Sequence, residues 1–297
     1  MVKNKKKKST IKEGKGSLIF DIVNYILLGL IFIAMVYPIY YIIILSFSNG
    51  MDAAKGGIFL WPRTFTLDNY ITAFTNKYLF KSYIVTILRT VVGTLVSVVM
   101  MALMAYALAD KRLPGRKWIS KFFYFTTLFG GGSVIMLLLI RDLDLLNNFM
   151  VYILPAIYGF SNMLIIKIAF EGIPVELRES AEMDGAGDLK VFWHVYLPLA
   201  KPSLVTVGLF TAVIHWNDWY AGKYYVSSQS LKPAATILQE MITNSASTSG
   251  YLSATSTTTA QTLQAAFVVI IMLPIMLIYP FAQKYFVKGA IVGSIKE

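Results

Sequence analysis

Apolar residues along this chain come in blocks longer than a soluble core requires, and charged residues fall almost wholly between the blocks. Thirty residues without a charge separate Asp21 from Asp52, apolar from Ile22 to Leu45, and twenty separate Arg89 from Asp110, the apolar run starting near Tyr83. Nineteen lie between Lys121 and Arg141, twenty-two between Asp144 and Lys167, sixteen between Lys201 and Asp218, and a last apolar run extends from Leu263 to Gln283. A charge at the bilayer centre costs about 2.5 to 3.5 kcal/mol, and about 20 helical residues cross the hydrocarbon core. The pattern therefore predicts an all-α, polytopic membrane protein with six transmembrane helices, over about 22–46, 83–109, 119–140, 147–168, 202–222 and 263–284. The fifth is short unless Trp216 to Tyr220 also enters the membrane.

Composition agrees: 56 % of residues are hydrophobic, 14 % are charged, and the mean hydropathy is +0.61. The net charge of +11 is distributed unevenly. With both termini in the cytoplasm, eighteen Lys and Arg fall inside and seven outside, a clear positive-inside bias. The first apolar block is too long for a cleavable signal and lacks a small-residue cleavage site, so it reads as a retained span. In the basic tail 1–21, Lys5 to Lys8 sets topology and meets anionic lipid; no aromatic residues alternate with it, so no nucleic-acid partner is expected. The absence of cysteine removes disulfides and thiol chemistry, and two histidines, His194 and His215, make no metal site. No G-x-x-x-x-G-K-[ST] is present, so any ATP and Mg would be bound by partner subunits and no cofactor by this chain.

The stretch 171–201 departs from the pattern. It carries Glu171, Glu176, Glu179, Glu182, Asp184 and Asp188 against Arg178, Lys190 and Lys201, a net −3 on the side where the rest of the chain is basic. Anionic headgroups repel such a segment. Pro174 suits a first helical position, Glu176 and Glu179 complement the dipole there, Gly185 and Gly187 interrupt, and Asp188 is placed to cap a second helix bearing Val191, Phe192 and Val195. Leu197-Pro198 and Lys201-Pro202 then turn the chain back toward the membrane. An amphipathic connector lying on the membrane and a hairpin docking on a cytoplasmic protein are both open readings; the sign of the charge favours docking.

Glu179-Ser180-Ala181-Glu182-Met183-Asp184-Gly185-Ala186, followed by Leu197-Pro198-Leu199 and Pro202, resembles the E-A-A, x3, G, long spacer, L-P signature of ATP-binding-cassette importer permeases, with Ser180 in place of the first Ala. Trp61-Pro62 with Thr66-Leu67-Asp68-Asn69-Tyr70 is similar to the stretch after the first span of sugar permeases, and Gln283 to Gly293 to their ending. Phe129-Gly130-Gly131-Gly132 with Leu145-Leu146-Asn147 looks like the polysaccharide-type subgroup. The resemblance covers about residues 20–297 and implies a type I importer permease fold. It implies ATPase coupling through Glu179, Ala181, Asp184, Gly185, Ala186, Leu197 and Pro198. The partners it implies are a homologous second permease, two ATP-binding cassette ATPases and an extracellular solute-binding protein, in the plasma membrane of a prokaryote.

Two further segments are candidates for a substrate path. Gly130, Gly131 and Gly132 each cost roughly 1 kcal/mol relative to Ala in a helix, so the third span is expected to break there, either for a close helix contact or to line a cavity. His215-Trp216-Asn217-Asp218-Trp219-Tyr220 combines aromatic faces with an amide and a carboxylate, chemistry that suits a sugar; an interfacial aromatic belt is the competing account. Trp216 and Trp219 would share a helical face. His215 and Asp218 would also share one, but without a nucleophile or third group they make no enzyme, and no catalytic residue is assigned. The Ser/Thr-rich stretch 224–262 reads as a coreless external loop with one short helix around Ala235 to Ile242. Secondary transport and a membrane-embedded enzyme are the alternatives; both lack the intramembrane groups they need.

Overall fold

A computed structural model describes residues 15–243 and 257–294. Most of the basic tail and the middle of the Ser/Thr-rich stretch, 244–256, lie outside the described residues. Three single helices carry stretches long and apolar enough to cross a membrane: α1 (Lys15–Ser46), α4 (Lys77–Ala109) and the final helix, α14 (Ala260–Ser294). Three further helix pairs reach that length and apolarity only together, each bent at a short break. Helix α5 (Arg116–Leu128) meets α6 (Gly132–Asp142) at 111°. The turns Phe149–Ala156 meet α7 (Phe160–Glu171) at 52°, and Asp188–Leu199 meets α11 (Lys201–Asn217) at 83°. Among the described residues there is no strand, only a single antiparallel bridge from Ser48 to Phe65.

Helix α4 is the centre of the fold, packed against α11 and α7, while α1 packs against α14. Its long register of small and hydroxylic residues makes this possible. Ser82, Thr86, Gly93, Ser97, Ala102 and Ala105 recur along the buried side of α4, where small residues let helices approach closely in a membrane. A Cβ added at Gly93 would lie 2.6 Å from His215 Cε1 and Nε2, so α4 and α11 cross with no room for a side chain there.

The link from α1 to α4 holds two short helices, α2 (Gly50–Ala54) and α3 (Asp68–Thr75). Buried Asn69 donates from Nδ2 to Ser46 O and Ser48 O, both at 2.9 Å, satisfying carbonyls left open at the end of α1. Tyr70 adds a hydroxyl contact to Ser46 Oγ at 2.7 Å, which gives the Asn69-Tyr70 pair a structural reason.

The expectation of a coreless segment fails for 224–243. Helices α12 (Tyr220–Tyr225) and α13 (Ala234–Thr243) bury Tyr225, Ala234, Thr236, Ile237 and Met241. Ala234 N donates to Thr86 Oγ1 at 2.8 Å, Tyr152 Oη to Leu231 O at 2.9 Å, and Thr236 Oγ1 to Trp219 O at 3.0 Å. Asn147 takes a left-handed turn, φ 56°, in which its N–H reaches Tyr225 O and its Oδ1 accepts from Ser228 N, both at 2.8 Å. The short helix expected around Ala235 to Ile242 is present as α13; composition missed its burial, because small and apolar residues read without a partner surface look like a linker.

Candidate coupling hairpin and substrate face

The hairpin forms as two helical pieces. Helix α8 (Val175–Met183) is closed by a left-handed glycine: Gly185, at φ 79°, lets Ala186 N donate to Ala181 O at 3.0 Å and Gly185 N to Glu182 O at 3.0 Å. That is the paired-bond helix stop for which Gly is preferred, and it explains why Asp184-Gly185-Ala186 must be small and turn-forming. The return arm comprises α9 (Asp188–Val191), a π-helical turn Phe192–Tyr196 and α10 (Leu197–Leu199). Gly187, not Asp188, occupies the capping position, because the Asp188 carboxylate is turned toward Arg178.

Beneath the hairpin lies one buried cluster that joins four elements. Met101, Ala105 and Leu108 of α4 meet Met163, Ile166 and Phe170 of α7, together with Val191, Phe192 and Tyr196 of the return arm. Val207 of α11 closes it. Fully burying side chains of this size contributes about 1.5 to 3 kcal/mol each. Arg178 pins the polar side: its guanidinium reaches Asp110 at 2.9 Å, Glu182 at 2.6 Å and Asp188 at 2.8 Å, and lies 5.5 Å from the centre of the Tyr106 ring. Arg112 adds a bridge to Glu182 at 2.9 Å, and Arg116 and Lys167 hold Glu171. The Arg112 guanidinium, with Arg178 beside it, holds the Glu182 carboxyl at about 2.

These pairs revise the electrostatic argument. Glu171, Glu182 and Asp188 are paired with basic residues of the chain, which leaves Glu176, Glu179 and Asp184 as the acids of this stretch outside those ion pairs. Glu179 lines an open cleft of about 580 Å³ with Asp110, Arg112, Glu171, Val175 and Arg178. Ala181, Ala186 and Leu197 are half-buried against the cluster, and Pro198 is exposed beside Ala200, where the chain bends into α11. Apolar side chains face outward along the same surface, with Met183 88 % exposed and Leu189 69 %.

At the other end of α11 the aromatic group divides. The helix stops at Asn217, so Trp216 and Trp219 do not share a face. Trp216 is buried, edge-on to Tyr83, and its Nε1 donates to Ile271 O at 3.0 Å. Ile271 lies in the turn before Pro274, so the indole ties α11 to the final helix at that turn. Asp218 turns away from the helix axis to meet Arg89: Nη2 to Oδ2 is 2.6 Å and Nη1 to the Asp218 carbonyl 2.8 Å, while Oδ1 accepts from Tyr220 N at 2.9 Å. Arg89 is 1 % exposed and stacks on the Tyr152 ring at 4.5 Å. A His215–Asp218 dyad is therefore not assembled; the carboxylate belongs to Arg89 and the imidazole packs on Gly93. Asn217 is exposed and bonds back to Val213 O at 2.9 Å. Trp219, Tyr220 and Tyr224 form a half-exposed aromatic group beside Lys223.

The glycine triplet sits at the 111° bend, with Gly132 at φ 76° opening α6. Beyond their chain neighbours and local helix backbone, no described atom lies within 4 Å of a Cβ built at Gly130 or Gly132, so no other described helix packs on them. Phe125, Phe129, Val134 and Ile135 are exposed around the bend.

A bundle of apolar helices with a hairpin locked to three of them has the architecture of a membrane transport permease subunit. Residues 16–292 match the family described as binding-protein-dependent transport system inner membrane component, and the chain belongs to it. It is a multi-pass membrane subunit of an ATP-binding-cassette importer with the type I permease fold. Protein LplC of Bacillus subtilis is 36 % identical over 97 % of this chain and 98 % of its own length. The Bacillus subtilis polygalacturonan/rhamnogalacturonan transport system permease protein YtcP is 35 % identical over 94 % and 98 %. Among solved structures, a bacterial ABC transporter involved in the import of the acidic polysaccharide alginate superimposes with a TM-score of 0.84 at 32 % identity, covering 92 % of this chain and 99 % of that one.

Proposed function

We propose that this chain is one of two permease subunits in an ATP-driven importer of oligosaccharides or polysaccharide fragments. The observation that carries the coupling role is the Arg178 clamp over the buried cluster, which makes the hairpin continuous with α4, α7 and α11. Displacement of the hairpin by a pair of ATPases, which bind ATP and Mg, is passed to those spans without loss in a flexible joint. ATP shifts the permease only to the extent that the ATPases hold the hairpin better in one state. Glu179, with the exposed Met183 and Leu189, meets the ATPase, while Ala181, Asp184, Gly185, Ala186, Leu197 and Pro198 shape and seat the hairpin.

Sugar as cargo rests on the relatives named for polygalacturonan and alginate transport and on the half-exposed Trp219 and Tyr220. The path lies between this chain and a homologous second permease, along the exposed face at Gly130 to Gly132. An extracellular solute-binding protein delivers the sugar at the end holding α12 and α13. Both termini and the hairpin are cytoplasmic, in a prokaryotic plasma membrane, which accords with the eighteen-to-seven division of basic residues.

Gly185→Trp tests the coupling. At φ 79° a side chain is strained, so α8 cannot close and the hairpin is displaced. The variant inserts normally but loses labelled-oligosaccharide uptake and co-purification of the ATPases. Parental uptake in this variant would rule out coupling through the hairpin.

A further inference from the structure

The loop between α1 and α3 does not simply leave the membrane. Its base is closed by Asn49 N to Thr64 O at 3.2 Å, Thr66 N to Phe47 O at 2.9 Å, and the Ser48–Phe65 bridge. From that base the chain folds back along α1, reversing at Gly56 and Gly57, at φ 69° and 73°. Tyr40 Oη then donates to Leu60 O at 2.7 Å, and Tyr37 Oη to Phe59 O at 3.5 Å.

Depth follows from the length of α1. The hydrocarbon core takes about 20 helical residues. Every 20-residue window that fits between Ile22 and Ser46 contains both Tyr37 and Tyr40. Helical side chains lean toward the N-terminus, here toward the membrane interior, so neither hydroxyl is carried outward by its own helix geometry. The carbonyls of Phe59 and Leu60 are thus held at the edge of the hydrocarbon. Loop backbone at that depth needs donors from the protein, and the two tyrosines supply them.

The side chains agree with this position. Phe59, Leu60 and Trp61 are 64 %, 69 % and 75 % exposed, three consecutive large apolar side chains left uncovered by the described residues, ending in the residue type most enriched at membrane interfaces. Ile58 is buried under them and Pro62 is buried behind them, so the three are presented together. Lys55 and Arg63 flank the loop, both exposed, with stems long enough to reach lipid phosphates.

We infer that Phe59, Leu60 and Trp61 form a membrane anchor, inserted into the headgroup–acyl boundary of the leaflet at the C-terminal end of α1. The inference rests on α1 crossing the membrane and not on the side assigned to either terminus or on the nature of the cargo. The anchor fixes the depth of the α1–α3 corner, and with it the start of α4.

The naturally cysteine-free chain allows a direct test in the assembled transporter, reconstituted with its partner subunits in nanodiscs. A nitroxide is attached to Leu60→Cys and, separately, to the exposed Ala54→Cys on α2, and collision rates with oxygen and with a water-soluble nickel complex are compared. Oxygen is expected to dominate at position 60 by several-fold, and nickel at position 54. Nickel dominating at position 60 would overturn the anchor and make the patch a water-facing surface for a binding protein. Exclusion of both reagents at position 60 would also overturn it, placing the second permease on the patch. Retained uptake by the labelled variant confirms that the measurement reports the working protein.

Discussion

The α4–α11 crossing at Gly93 sets the geometry of the lever that joins the hairpin to the far side of the membrane. Gly93→Ala places a methyl carbon 2.6 Å from two atoms of the His215 ring and 2.9 Å from a third, closer than nonbonded carbon ever sits. His215 is 1 % exposed, so the ring cannot swing into open space and the helices must part. Overpacking of this kind costs about 1 to 3 kcal/mol. His215→Ala alone leaves a void and costs a similar amount, about 1 to 3 kcal/mol. In the double variant the methyl occupies space vacated by the ring, so the pair is less damaging than the sum by at least about 1 kcal/mol. Thermal midpoints of the detergent-solubilised transporter, followed by fluorescence-detected size exclusion, resolve this, because about 1 kcal/mol corresponds to about 2 to 4 °C. Additivity of the two substitutions within about 0.3 kcal/mol, or an unshifted midpoint for Gly93→Ala, would refute the close crossing.

Asp218→Ala leaves Arg89 buried without its carboxylate and is expected to cost about 3 to 5 kcal/mol, lowering the thermal midpoint before any effect on sugar recognition is measurable; Asp218→Asn recovers part of it. Asn69→Ala removes both donors to the end of α1 and is expected to cost about 1 to 3 kcal/mol, read from the same midpoints. Glu182 is held at about 2 by Arg112 and Arg178, below its ordinary 4.5. Its contribution is therefore fully present above about pH 4.5 and fades as pH falls toward 2. Hydrogen-exchange protection of α8, corrected for intrinsic rates, should fall over that window in the parent and fall less in Glu182→Gln.

The six spans are legible in the sequence because the bilayer penalises charge at every position of a span, so gaps between charges mark depth without any knowledge of neighbours. The hairpin break is legible for a local reason as well: Gly185 must take a left-handed conformation to end α8, and glycine announces that. Directions are not legible. Hydropathy registers Gly130 to Gly132 as a weak point but carries no angle, and the 111° turn depends on how α5 and α6 find their surroundings. Partners far apart in the chain are hidden for the same reason. Arg89 and Asp218 look like isolated charges near helix ends, yet 129 positions of separation close into one ion pair. Trp216 looks like a sugar platform until its ring is seen buried against Tyr83 with its indole N–H on Ile271 O of another helix.

The lock between Arg89 and Asp218 has a mechanical meaning. Helix α11 carries the hairpin at Lys201 and is tied to α4 just past Asn217, about 25 Å away at about 1.5 Å per residue over 17 residues. A rod fixed at one end and pushed at the other swings about the fixed point. A displacement applied at Lys201 shrinks steadily along the rod and vanishes near Asp218, so α11 by itself widens or narrows only one mouth of the passage, as a wedge. The opposite mouth changes only if α4 travels too, carrying Tyr152, α12 and α13 with it as one block. Because α4 also joins the cluster under the hairpin, the two helices are tied at both ends, and the ion pair is the fulcrum at the far one.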